Sequence, residues 1–499
     1  MLRHLRHGRR LVATARVFAR HDALFPLDLL PQTRPLHRLA RRLARRDAPG
    51  RPGQRLARAF QEAGPSFVKL GQSLSTRVDL LGEEVAADLA LLQDRLPPFP
   101  GREAVRTIEA ELERPLAALF TDFAPEPVAA ASIAQVHRAV TTDGRTVAVK
   151  VLRPGIERAM ERDIAFFLWL AETAERLHPP LRRLRPREAV EIFAETTRRE
   201  LDLRLEAAAA AEFARNNADQ EGFRVPAVDW ERTARRVLTL EWVEGLPLTD
   251  RRALLEAGFD PRVLMERAAR VLFTQIFRDG FFHGDMHPGN MLVDARGDIV
   301  ALDFGIMGRL DFDTRVQLAR MLTGFLQGDY AAVADVFYAT GFLVDERHRE
   351  AFTQACRAIG EPIRGRPLAE ISFGRLLGQV LSMAREFEME TQPHLLLLQK
   401  TMVTAEGVGR ALDPEVNLWA LAEPLVADWM RENLGPEAEL RRALGEGAEA
   451  LRRLPALLTR GERVLARLEA EAAAPAAPPW LRSPWPWVLL GIALGLALG

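Results

Sequence analysis

His283-Gly284-Asp285-Met286-His287-Pro288-Gly289-Asn290, followed thirteen residues after Asn290 by Asp303-Phe304-Gly305, decides how the rest of this chain is read. An H-x-D-x-x-x-x-N segment supplies a carboxylate that accepts a proton from, or orients, an attacking hydroxyl, and an amide oxygen that binds Mg2+. Two glycines and a proline keep the segment out of a helix, which leaves the two side chains free to converge. Asp303 ends the apolar run Ile299-Val300-Ala301-Leu302. A carboxylate at such a strand end bridges Mg2+ to the β- and γ-phosphate oxygens of a nucleotide, while Phe304 packs behind it. Asp-Phe-Gly is common as a tripeptide. At this distance from the loop, with a turn at Arg296-Gly297 between two short strands, it specifies a nucleotide-dependent phosphoryl-transfer site.

Upstream, Val147-Ala148-Val149-Lys150 closes a strand. Residues 132–140 and 146–152 alternate and are rich in β-branched side chains, and Asp143-Gly144 lies between them, so a β-hairpin is expected. A strand lysine directed into a cleft neutralises two phosphates of a nucleotide. It needs a carboxylate partner. From Arg187 to Asn217 neither Gly nor Pro interrupts the chain, and the stretch reads as one long helix carrying Glu200, Asp202 and Glu206. At 100° per residue Asp202 and Glu206 share a face, while Glu200 is rotated by well over a quarter turn. That favours Glu206 only slightly. Residues 236–245 read as a further strand leaving into a loop, where Glu241 and Val243 are candidate nucleotide contacts. Val128 and Val136, on either side of an alanine run, are candidates too.

That run, Ala129-Ala130-Ala131-Ser132, stands eighteen residues before Lys150, where a phosphate-covering G-x-G-x-x-G belongs. Each alanine brings a Cβ and disfavours positive φ, so the loop is expected to be stiffer and differently shaped. In this the chain resembles the UbiB (ABC1-type) family of atypical kinases, over almost its whole length. That family has an Ala-rich loop, a K-x-G-Q helix matched by Lys69, Gly71 and Gln72, and an E-x-D motif matched by Glu200 and Asp202. Lys69 and Gln72, three apart, lie on one helical face. The resemblance implies an α+β, two-lobed protein-kinase-like fold with an N-terminal helical extension and a C-terminal apolar tail. It also implies ATP and Mg2+ as cofactors, with hydrolysis or phosphoryl transfer that supports ubiquinone biosynthesis. It places the K-x-G-Q helix on the substrate side of the cleft, against E-x-D, where it restrains protein-kinase activity, and leaves Glu206 as the partner of Lys150. Isoprenoid quinone precursors, membrane lipid and quinone biosynthesis proteins are the partners it suggests. Members are also labelled 2-polyprenylphenol 6-hydroxylase or its regulator, yet no flavin-binding G-x-G-x-x-G follows a strand here. Two rivals stand beside this reading. One is a small-molecule phosphotransferase of the aminoglycoside-kinase type, against which the Lys69–Gln72 helix and the alanine run argue. The other is a non-catalytic scaffold, against which the intact set Lys150, Asp285, Asn290 and Asp303 argues.

The 499 residues divide into a basic arm (1–58), a helical extension (59–125), an N-lobe (126–245), a C-lobe (246–435), charged helices with a linker (436–479) and an apolar tail (480–499). Charge is balanced, 68 Lys+Arg against 68 Asp+Glu, so no global field marks a nucleic-acid binder. The arm is the exception, with fifteen Arg against Asp22, Asp28 and Asp47. It suits an anionic membrane face, a helix packed on the protein body, or a mitochondrial transit peptide. The single cysteine, Cys356, excludes an intramolecular disulfide and reads as a small buried apolar residue. From Trp485 the tail runs without charge to Gly499, and the thirteen residues from Trp487 make a helix of about 20 Å, short of the ~30 Å hydrocarbon core. Trp480, Trp485 and Trp487 sit as interfacial anchors do, and Gly491, Gly495 and Gly499 form a small-residue face suited to a helix-mediated homodimer. The expected location is the cytoplasmic face of a bacterial inner membrane, or the mitochondrial inner membrane if the arm is a transit peptide.

Overall fold

A computed structural model of the chain describes residues 2–24, 49–75, 81–90, 92, 97–177, 179, 182, 185–339, 343, 345–362, 372–387, 393–413 and 418–435. The charged helices and linker of 436–479 and the apolar tail of 480–499 lie outside the described residues, as does 25–48 of the basic arm.

An antiparallel sheet forms the N-lobe from β1 (Phe120–Phe123), β2 (Ala129–Ala130), β3 (Ala134–Thr141), β4 (Thr146–Leu152) and β6 (Val237–Glu241). Its order is β1-β3-β4-β6, with β2 also paired to β3. The expected hairpin is β3–β4: Gly144 takes φ +86°, and the Thr141 N–H donates to the Arg145 carbonyl to close the turn. Alternation in β4 sorts its side chains. Val147, Val149 and Val151 are buried with Ala104 and Ile108 of α5 (Gly101–Leu112), whereas Thr146, Ala148 and Lys150 are half-buried on the opposite face. Val136 pairs directly with Lys150, so both stand on that second face, which roofs the cleft.

Helices α6 (Ile156–Leu177), α7 (Pro186–Glu200) and α8 (Leu203–Asn216) follow β4. The single helix expected over 187–217 is therefore two. It breaks at Leu201-Asp202 without Gly or Pro, because Leu201 turns into the core and the Asp202 carboxylate accepts the Arg204 N–H as the cap of α8. Asp202 and Glu206 thus do not share one continuous helical face.

The N-terminal helices α1 (Leu2–Arg20), α2 (Pro52–Ala63), α3 (Pro65–Ser75) and α4 (Glu83–Ala90) pack on this lobe. Pro65 opens α3, as its first-turn placement predicts. An aromatic cluster holds the layer together: Phe67 meets Phe167 edge-on at 5.0 Å, with Phe18, Phe60 and Phe193 around them. Gly71 is required by this packing, since a Cβ there would stand 2.5 Å from Leu92 and 2.6 Å from Phe60. Of the alternatives for the basic arm, residues 2–20 take the body-packed one. His7 stacks on Trp169 at 5.4 Å and Arg10 pairs with Asp163 at 2.8 Å.

In the C-lobe, α9 (Pro261–Phe273) runs into a π-helical turn at Thr274–Asp279 and then β8 (Phe281–His283). A small sheet, order β5-β10-β9-β7, combines β5 (Phe223–Arg224), β7 (Leu246–Pro247), β9 (Met291–Val293) and β10 (Ile299–Ala301). Gly297, at φ +81°, makes the expected turn between β9 and β10. The second ladder pairs β8 with β11 (Met307–Arg309). Helices α10 (Phe312–Gln327), α11 (Tyr330–Ala339), α12 (Arg349–Gly360), α13 (Phe373–Glu386), α14 (Pro393–Leu412) and α15 (Leu418–Leu434) complete it. Cys356 is fully buried in α12, and burial pushes its thiol up to about 12, which leaves it unreactive. Among the described residues no helix is long and apolar enough to cross a membrane.

Candidate active site

Lys150 projects from β4 and donates to both oxygens of Glu206, at 2.7 and 2.9 Å. Asp303 Oδ1 stands 3.6 Å from the same ammonium and also accepts the Gly305 N–H at 3.0 Å. The helix break described above makes this possible, because α8 starts afresh at Leu203 and presents Glu206 in its first turn to the strand lysine. One cation therefore serves two carboxylates. Lys150 holds Asp303 down at about 2, and the two carboxylates hold the Lys150 ammonium above its ordinary value against the effect of burial. Glu206 is the deeper carboxylate. Burial pushes it up to about 7, with the Asp303 charge adding to the shift and Lys150 opposing it.

A stability consequence follows. Below the ordinary value of 4.5 a glutamate is protonated in both folded and unfolded chains; between there and about 7 only folded Glu206 keeps its proton. Its contribution to stability is thus present in full at low pH and is lost as pH rises through this window. Relative to the Glu206→Gln variant, the melting temperature of the wild-type chain should fall between pH 5 and pH 7.5. A difference that stays constant over that range rules out the raised carboxyl.

Opposite this triad lies the loop between β8 and β9. His283 is buried against Phe304 and Phe213, its charged form disfavoured by burial, and its Nδ1 accepts the Asp285 N–H at 3.1 Å. Buried beneath the loop, it orients the Asp285 main chain. Asn290 Nδ2 donates to the Asp285 carbonyl at 3.1 Å, which turns the amide oxygen the other way. Leu302 N–H donates to the Asn290 carbonyl, so Asn290 and Asp303 come together at the open end of the β9–β10 hairpin. Asp285 Oδ1 accepts a 2.8 Å bond from Lys400 Nζ, on α14. Sequence reading missed Lys400, although a signal was present: among 68 Lys+Arg the chain has only three lysines, Lys69, Lys150 and Lys400.

Lys69, on α3, pairs with Glu200 at the end of α7 at 2.8 Å, and it also acts on Asp303, helping to keep that carboxylate ionised. The half-buried Gln72 lies one turn further along α3. Asp202 does not join them: its carboxylate is taken by the Arg204 main-chain N–H and guanidinium. The alanine run is not an open loop. Ala129 and Ala130 form β2 against Val136 and Gln135, and Ala131 N–H donates to Ala134. None of the run has positive φ. Arg153 closes it from outside, donating to the Ala131 carbonyl at 2.8 and 3.0 Å and to the Pro97 carbonyl at 2.9 Å. Ser132 is buried in the turn, and Val128 is exposed at its entrance. At the far edge, Glu241 ends β6 with its carboxylate on Arg224 and the Ala227 N–H, so that its side chain is engaged away from the cleft; Val243, half-buried, follows in the link to the C-lobe.

The ABC1 atypical kinase-like domain model matches residues 91–337, and the UbiB helical domain model residues 356–417. A probable protein kinase UbiB of Marinobacter nauticus is 43% identical over 446 residues, 87% of this chain and 80% of that protein. One of Pseudomonas paraeruginosa is 41% identical over 501 residues, 98% and 93% of the two chains. A Mycobacterium tuberculosis protein solved with erythromycin aligns at a TM-score of 0.47 and 26% identity, over 71% of this chain and 90% of that one. At that identity and coverage, with the kinase-like and helical family models matched in order, the chain belongs to the UbiB family of ABC1-type atypical kinases.

Proposed function

We propose that the chain binds MgATP between its lobes and uses phosphoryl transfer or ATP hydrolysis to support ubiquinone biosynthesis at a membrane. The observation that carries this reading is the convergence of Lys150, held on Glu206, with the ionised Asp303, opposite the Asp285–Asn290 loop. Asp303 and the Asn290 amide oxygen suit Mg2+, which takes one or two protein ligands and completes its shell with water and phosphate oxygens. Held by these two residues, Mg2+ would supply positive charge to neutralise the nucleotide's phosphates. Lys150 faces the nucleotide phosphates; Glu206 fixes its direction. Asp285 orients the attacking hydroxyl or water and takes up its proton. The stretch from Trp485 to Gly499 anchors the chain at the cytoplasmic face of the inner membrane, near lipophilic quinone precursors.

A bacterial strain lacking its own UbiB-family protein provides the test. Expression of this chain should restore ubiquinone, and the Lys150→Gln variant, which removes the phosphate-facing ammonium, should leave quinone at the deletion level. Equal rescue by both would return the protein to a scaffold role.

A further inference from the structure

All three lysines of this chain sit on carboxylates in or beside the cleft: Lys69 on Glu200 at 2.8 Å, Lys150 on Glu206 at 2.7 Å and Lys400 on Asp285 at 2.8 Å. Every other Lys/Arg position is arginine. On a solvated surface the two cations do nearly the same work, so composition alone keeps no lysine in place here. Guanidinium is a planar fork that grips a carboxylate with two bonds, whereas ammonium is a compact charge whose three donors can be re-aimed. Where this chain holds lysine, it needs that compact charge.

Lys400 is not explained as a tie that docks α14. Its side chain is 38% exposed and that of Asp285 33%, and so open a pair adds little to stability. The helix is docked without it. Leu398 and Met402 are buried, Leu397 packs on Gly284, Glu406 accepts from the Gly374 N–H at 3.1 Å, and the Leu412 carbonyl accepts from Arg251 at 2.9 Å. Between Asp285 and Asn290 the loop has no lysine or arginine, and its exposed His287 turns Nδ1 to the Gly289 N–H. The loop itself therefore offers no fixed cation for charge on a phosphoryl group in transit.

We propose that Lys400 is a catalytic residue, whose ammonium, held beside Asp285, contacts the γ-phosphate oxygens as the phosphoryl group approaches the nucleophile that Asp285 orients. The inference rests on the phosphoryl-transfer reading above. In the step, the bond between the β,γ-bridging oxygen and the γ-phosphorus breaks, and the oxygen leaves with the electron pair as part of ADP. A bond forms from the acceptor oxygen to phosphorus, and the acceptor's proton passes to Asp285. Lys400 keeps its protons and neutralises charge. The helical region of 356–417 then completes the site of the kinase-like region of 91–337.

The test uses the full-length chain in detergent, as wild type, Lys400→Gln and Lys400→Arg. Turnover of MgATP, affinity for MgADP and affinity for MgADP with aluminium fluoride, a mimic of the phosphoryl group in transit, are measured for each. Lys400→Gln should lower kcat by at least about 100-fold with KM within about threefold. It should weaken the fluoride complex by a similar factor and leave MgADP affinity unchanged. Lys400→Arg should recover only a small part of the loss. Melting of both variants within about 2 °C of wild type would show that the fold is intact. Undiminished or increased turnover in Lys400→Gln overturns the assignment, the increase marking the ion pair as a restraint. A wild-type chain that neither turns over MgATP nor binds the fluoride complex sinks the phosphoryl-transfer reading itself, and Lys400 with it.

Discussion

Asp303→Asn should abolish Mg2+-dependent nucleotide binding, weakening MgATP by at least about 100-fold, or ~2.7 kcal/mol. The carboxylate has two tasks at one place. It stands 3.6 Å from Lys150, and it shares the open end of the β9–β10 hairpin with Asn290, where Mg2+ would be held. An amide keeps the shape and the bond from the Gly305 N–H but removes the charge. Without that charge, two opposed effects appear. Lys150 relaxes fully onto Glu206, whose carboxyl loses the repulsion that Asp303 adds to its burial and titrates lower. Mg2+ loses its only anionic protein ligand among the residues assigned to it. The second effect should dominate for MgATP, because the ion would bring twice the charge of the ammonium to the phosphates. Calorimetric titrations with ATP in Mg2+ and in EDTA separate the two. Affinity in EDTA should change only a few-fold, and equal losses under both conditions would show that Asp303 acts on the fold and not on the metal.

How far the site could be read in advance depended on range. The hairpin from Ala134 to Leu152 and the loop from His283 to Gly305 were legible because their signals are local: alternation, an Asp-Gly turn, a fixed spacing between polar side chains. The helix break at Leu201-Asp202 was not, since both residues fit a helical pattern and only tertiary burial of Leu201 shows that the pattern stops. An aspartate in mid-helix was nonetheless a hint, as this residue prefers a cap to an interior position. Its consequence is large. Glu200 and Glu206 lie six residues apart, yet each faces a different lysine because a new helix begins between them. The alanine run avoids positive φ, as its Cβ atoms require, but that it opens as the short strand β2 and is held by Arg153 from 22 residues away was not legible. Such long-range clamps leave no periodic trace in sequence. Lys400, 115 residues from Asp285, was hidden by the same distance.

Asp285→Asn should cut MgATP turnover by about 10²–10⁴-fold, the range expected for loss of a positioned general base. ATP affinity should stay within a few-fold, because Asp285 acts on the nucleophile. The variant also removes the partner of Lys400, and this makes the outcome informative. An ammonium released from its carboxylate is drawn to the next nearby anion, so any change in affinity should favour ATP over ADP, which has no γ-phosphate to offer. Combining Asp285→Asn with Lys400→Gln extends the argument. If the two residues act together on one phosphoryl group, the double variant should be little worse than the weaker single one, since each loss already disables the shared step. Independent roles would multiply the two losses. Single-turnover rates of all four proteins measure the coupling directly. Full turnover in Asp285→Asn alone would remove Asp285 from the chemistry and leave its bond to Lys400 as a contact between a loop and a helix.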